Sequence, residues 1–341
     1  MLPALIASVV CHLFVTPGDQ HSYIIAPIPH GQCSTCCPVT LDLDIEYHFY
    51  TRKNPENPHV IQYGNKDALR NSTFNPSNPT TIFIHGYGQQ AMGYAAKTIL
   101  KNYLKRGDYN MILVDWKKLA AQHWYNVAAA NSKLVGRHVA KFLNWLELEN
   151  GINMKKIHVV GFSLGAEAAG FMGKSLKPKQ VGRITGLDPA YPLFMKGEHL
   201  TAGDALFVDV IHTDSKHFGF PSPIGHADFY PNGGKSPQPG CSLTQIITMN
   251  IFSSVRLYLT CSHHRAWWYF SESILNPHGF PAMRCQTWQP NIHNCSGYPD
   301  ASMGIAINPS ARGIYYLQTN PNAPYAKNLL KYDTNSILDM L

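Results

Sequence analysis

The stretch Gly161-Phe162-Ser163-Leu164-Gly165 constrains this chain more than any other. It stands between the apolar run Ile157-His158-Val159-Val160 and the small-residue segment Ala166-Glu167-Ala168-Ala169-Gly170. A G-x-S-x-G turn of this kind holds a serine hydroxyl clear of a sheet, with the serine in strained backbone angles. A side chain at either glycine would collide with the strand or the helix. The following helix aims its first backbone N–H groups at the place where negative charge would develop.

The rest of the pattern fits an α/β architecture. Leu41, Leu43, Ile45, Tyr47 and Phe49 alternate with polar residues and predict a half-buried strand. Short apolar strands are predicted over Thr81 to His85, Asn110 to Val114, Val181 to Leu187 and Ala205 to His212. Helices are expected over 90–106 and 121–148. Strands alternating with helices imply a mostly parallel sheet covered on both faces. After residue 214 the alternation lapses, leaving a Gly/Pro-rich loop, a helical segment from about His263 to Ile274 and a last strand at Ile314 to Thr319. With 341 residues, 45% apolar and only 14% charged, the chain has ample length for one large core. The net charge of +7 is spread over small clusters, which read as solvated faces and not as a nucleic-acid footprint.

The apolar run Leu2 to Val15 is too short to span a membrane and resembles the core of a secretory leader, with cleavage near residue 18. Residues 19–341 then form a single domain. Cys11 would leave with the leader, and seven cysteines remain. Disulfides suit an exported protein. Pairing Cys241 with Cys261 and Cys285 with Cys295 leaves Cys33 to bond Cys36 or Cys37, with one thiol left over. Asn71-Ser72-Thr73 is a glycosylation acceptor sequence, and Asn294-Cys295-Ser296 is a poorer one.

A serine nucleophile needs a base, and the base needs an orienting acid, in the chain order Ser, Asp or Glu, His. Asp188 follows the next predicted strand, so it falls on the same sheet edge as Ser163. Asp204, Asp209 and Asp214 are its rivals. His263 and His264, directly after Cys261, are the base candidates, while His85, His212 and His226 read as structural. The oxyanion donors would be the backbone N–H groups of Leu164 and of Tyr87 in His85-Gly86-Tyr87-Gly88. Between Cys241 and Cys261, residues 242–260 carry Ile246, Ile247, Met249, Ile251, Phe252, Val255, Leu257 and Leu259. They read either as core or as a lid with an apolar face.

At these residues the chain resembles the pancreatic lipase family of secreted lipases and phospholipases A1. The resemblance runs from about residue 41 to 320. It rests on Phe83-Ile84-His85-Gly86, Val160 to Ala166, Gly186-Leu187-Asp188-Pro189-Ala190, Val208 to Thr213, Gly225 to Gly234 and Cys261-Ser262-His263-His264-Arg265. It implies an α/β-hydrolase fold with a lid insertion closed by Cys241–Cys261. Ser163 would be the nucleophile, Asp188 the acid, His263 the base, and Tyr87 and Leu164 the oxyanion donors. Phe162 and Glu167 replace histidines common at those positions. The segment after Asp188 is short and lacks a set of calcium-binding carboxylates, so no metal and no cofactor are expected. No C-terminal β-sandwich domain follows, so no colipase partner is expected. The expected activity is hydrolysis of acylglycerol esters at a membrane, micelle or droplet surface. The alternatives are sn-1 phospholipid cleavage, or a non-catalytic lipid-binding or yolk-type storage role.

Overall fold

The computed structural model describes residues 11–15, 23–242, 251–286, 295 and 298–327, with backbone alone over 251–257. The cleavage position near residue 18, Asn294 and the lid residues Ile246, Ile247 and Met249 lie outside the described residues. So do the side chains of Ile251, Phe252, Val255 and Leu257.

A small ribbon pairs β1 (Phe14–Val15) with β2 (Ile24–Ile25). All other strands form one eleven-stranded sheet. Its centre is parallel: β13 (Gly313–Leu317), β10 (Ala227–Pro231), β9 (Phe207–Ile211), β8 (Arg183–Leu187), β7 (Ile157–Phe162), β5 (Thr80–Ile84) and β6 (Asn110–Asp115), in that spatial order. Antiparallel strands finish both edges. They are β3 (Glu46–Tyr50) and β4 (His59–Ile61) at one end, and β11 (Pro281–Cys285) and β12 (Ala301–Ser302) at the other.

The helices are α1 (Leu41–Asp44), α2 (Lys66–Arg70), α3 (Tyr94–Arg106), α4 (Tyr125–Asn150), α5 (Leu164–Leu176) and α6 (Ile251–Leu275). Strands buried on both faces read as apolar runs, and β5, β6 and β9 are buried at every position. One core contains Val135, Val139 and Phe142 of α4 with Ala168, Ala169 and Met172 of α5. The other contains Ile99, Leu100 and Tyr103 of α3 with Trp267, Tyr269 and Phe270 of α6. The sheet lies between them, which is the α/β-hydrolase arrangement.

Three sequence expectations are corrected. Leu41 to Asp44 is a helical turn, and only Glu46–Tyr50 is extended. Asp44 accepts the Thr40 N–H at 2.8 Å and so closes that turn. The helix carrying His263 begins at Ile251, twelve residues before that histidine, so it takes in the second half of the lid stretch. The cysteines also pair without remainder: Cys11–Cys37, Cys33–Cys36, Cys241–Cys261 and Cys285–Cys295. Cys11, read as part of a removable leader, holds the thiol expected to be left over.

Candidate active site

Ser163 sits between β7 and α5 with φ 56° and ψ −121°, a conformation that L-residues rarely adopt. The two glycines show why the turn can be so tight. A Cβ at Gly161 would meet the Gly165 carbonyl oxygen at 2.4 Å, and one at Gly165 would meet that of Ile84 at 2.1 Å. Strand β5 and helix α5 therefore pack backbone to backbone around the serine. The Ser163 N–H is held by the Leu187 carbonyl at 3.0 Å, which ties the elbow to the end of β8.

Asp188 follows directly after β8, also at positive φ, and is fully buried. Its Oδ2 lies 2.6 Å from His263 Nδ1. Its Oδ1 accepts the backbone N–H groups of Thr213 at 2.8 Å and Asp214 at 3.1 Å. Both carboxylate oxygens are thus engaged, one by two backbone N–H groups and the other by the imidazole. A Cβ at Gly219 would fall 2.3 Å from Asp188 Oδ1, so that glycine leaves room for the carboxylate. Sequence reading missed Thr213, Asp214 and Gly219 as supports. The aromatic-flanked glycine of Phe218-Gly219-Phe220 was the available signal.

His263 lies on α6, two residues after the Cys241–Cys261 bridge. Its ring centroid is 4.7 Å from that of Phe162, the residue before the serine, and 5.6 Å from that of Phe218. Sequence thus distant by a hundred residues converges at the carboxyl edge of the parallel strands. Two of the three rival acids are engaged elsewhere. Arg183 grips Asp209 through two N–H donors at 2.7 and 2.8 Å, and Lys174 holds Asp204. His264 is buried beside Trp267 and Phe162. Asp214 is the one rival at the site: it clusters with Asp188 and His263, and burial together with the Asp188 carboxylate pushes its carboxyl up to about 6.

Leu164 is buried at the first position of α5. The loop bearing Tyr87 is fixed from both sides. Gly88 donates to the Ala120 carbonyl at 2.6 Å and accepts from Ile24 at 2.9 Å. His85 stacks on Trp116, and its carbonyl accepts the Trp116 indole N–H at 2.9 Å, so this histidine is structural. His212 is likewise structural, 2.9 Å from Asp228. Glu167, one turn beyond the serine, is fully buried. It accepts the Leu200 N–H at 2.8 Å, and burial raises its carboxyl to about 8.

Taken together, an imidazole held by a buried carboxylate packs against Phe162, whose neighbour Ser163 stands at positive φ at a helix start. Over 266 residues the chain is 36% identical to pancreatic lipase-related protein 2 of Mus musculus, covering 74% of this chain and 55% of that protein. Over 308 residues it is 41% identical to lipoprotein lipase of Rattus norvegicus, covering 83% of this chain and 64% of that one. The chain therefore spans little more than half the length of such relatives. Among solved structures, esterase PE8 is 20% identical with a TM-score of 0.32, over 40% of this chain and 68% of that one. The sequence pattern of the lipase family matches residues 31–325, and the chain belongs to that family.

Proposed function

We propose that the protein hydrolyses carboxylic esters of lipids, with acylglycerols as the first substrate class, through an acyl-enzyme on Ser163. The observation that carries this reading is the 2.6 Å contact between His263 Nδ1 and the buried Asp188 carboxylate. With Nδ1 donating to the carboxylate, the other ring nitrogen is the one that accepts a proton. His263 takes the Ser163 proton as the hydroxyl attacks the acyl carbonyl, then returns it to the leaving alkoxide. Asp188 stabilises the imidazolium. The N–H groups of Leu164 and Tyr87 receive the oxyanion, and water releases the fatty acid in a second cycle of the same steps. Four disulfides support an oxidising, extracellular setting. Asn71 is exposed at the end of α2, where a glycan would fit.

A fluorophosphonate probe should label Ser163 of the full chain, and Ser163→Ala should abolish labelling. The same substitution should lower ester turnover about 10⁴-fold or more. Ser163 makes no side-chain cap bond, so its loss should leave the melting temperature nearly unchanged. Turnover surviving in Ser163→Ala would end the reading, and silence of the parent on every ester would return the storage role. Phospholipid sn-1 cleavage is the second reading. The short stretch between Thr213 and Gly225 favours it, since such a short stretch is the pattern of phospholipase-type members of the family that the chain resembles. Parallel assays on triolein and phosphatidylcholine decide between the two.

A further inference from the structure

Two short loops lie back to back beside the site. Residues 189–200 leave the Asp188 end of β8, and residues 212–220 leave β9. Tyr191 donates its N–H to the Phe218 carbonyl at 2.8 Å, and Phe220 donates to that of Pro189 at 2.8 Å. Three large apolar side chains project from the pair into solvent: Leu193 at 65% exposure, Met195 at 57% and Phe218 at 40%.

The tip is built rather than slack. Phe194, between the first two, is buried. The Tyr191 hydroxyl lies 2.8 Å from Met195 Sδ, and the Tyr125 hydroxyl donates to the Pro192 carbonyl at 3.1 Å. Glu167 holds the far end of the loop at Leu200. The backbone is strained where it is most exposed. Leu193 has φ 73° and Lys216 φ 74°, values that a branched or long side chain takes only when its surroundings impose them.

Lysines outnumber the acids exposed on this tip. Lys196 and Lys216 are exposed beside the apolar residues, and so is His217. Glu198, the nearby acid on the first loop, is neutralised by Lys133. Asp214, on the second, is buried. An apolar tip ringed by cations suits a surface that offers hydrocarbon below and negative charge above. Among the described residues no helix is long and apolar enough to cross a membrane, so such a contact would be peripheral.

We propose that the paired loops 189–200 and 212–220 dock the protein onto an anionic phospholipid surface. Leu193, Met195 and Phe218 enter the acyl boundary, and Lys196 and Lys216 meet headgroup phosphates. This deepens the lipid-ester reading and rests on it for the substrate. The anchor is separate from the stretch between Cys241 and Cys261. It sets the bilayer against the His263 side of the site, so the preferred substrate is an acyl lipid presented in a negatively charged surface.

The test is vesicle co-sedimentation of the full chain carrying Ser163→Ala, which leaves lipid intact whether or not Ser163 reacts. The vesicles are pure phosphatidylcholine, or equal phosphatidylcholine and phosphatidylglycerol. Mixed vesicles should bind more tightly. Leu193→Asn with Met195→Ser should weaken binding to both compositions about tenfold or more, and asparagine tolerates the left-handed backbone at position 193. Lys196→Glu with Lys216→Glu should weaken binding to mixed vesicles about tenfold or more and spare phosphatidylcholine. In the Ser163 enzyme, both pairs should leave hydrolysis of soluble p-nitrophenyl butyrate unchanged. Parental binding by both variants would overturn the proposal, as would equal affinity of the parent for the two compositions. So would a parental dimer in light scattering that Leu193→Asn dissociates, because the occupant would then be a second copy. If Ser163 resists the fluorophosphonate while the sedimentation pattern holds, the ester reading fails and the docking surface stands.

Discussion

A carboxyl group sealed from water keeps its proton past neutrality unless enough donors surround it, and Glu167 has only one such bond, from the Leu200 N–H. Its carboxyl is raised from 4.5 to about 8, first by burial. Across that interval the folded state holds a proton that the unfolded state has released. The stabilisation is therefore complete below about 4.5 and is lost as pH rises toward 8. Glu167→Gln copies the protonated form without the titration. Urea unfolding at acid and alkaline pH should show the variant gaining on the parent as pH rises, with the difference level above about 8. A constant difference would mean that Glu167 is not neutral in the fold. At this scale the sequence was legible where geometry forces residue type. The glycines at 161 and 165 admit no side chain that fits. Glu167 was visible only as an unusual residue in a run of alanines. Its burial comes from the Leu200 loop, which no local pattern announces. Asp188 stood apart from Asp209 because one follows a strand and the other lies within one.

Elements followed periodicity where they were long and apolar. The central strands and helices α3, α4 and α5 fall near their predicted places. Alternation misled at Leu41 to Asp44, where a polar side chain closing a local turn outweighed the strand pattern. The short strands β4, β10 and β12 were not predicted. β10 is stabilised by pairing with β13, far along the sequence, a term absent from any short window. The Cys241–Cys261 bridge closes a separation of 20 residues immediately before His263. Its removal by Cys241→Ser with Cys261→Ser should cost about 3 kcal/mol in the loop-entropy model, read as a lower urea midpoint at unchanged slope. Because the bridge adjoins the imidazole helix, ester turnover should fall as well. Turnover equal to the parent at a temperature where the variant is folded would show that the bridge serves stability alone.

For the molecule as a whole, an ion pair on a fully buried carboxylate helps tie the sheet to its late segments. Arg183 on β8 grips Asp209 on β9 and also donates to the carbonyls of Gly304 at 2.8 Å and Ile305 at 3.3 Å. Arg183→Met would leave the fully buried Asp209 carboxylate with the Thr185 hydroxyl at 2.9 Å but without its cation, and should lower unfolding free energy by about 3–5 kcal/mol. Chemical denaturation measures this directly, and a loss below 1 kcal/mol would show Asp209 finding other compensation. This tie could not be read from the sequence, because it joins positions more than a hundred residues apart through main-chain acceptors. The continuity of α6 from Ile251 to Leu275 has a mechanical result of its own. The rod is clamped at Cys261, so any swing of its leading turns pivots ahead of that clamp and leaves the imidazole where it stands. On the proposed reading of His263 as the base, proton handling lies behind that fulcrum and the leading turns of α6 lie ahead of it.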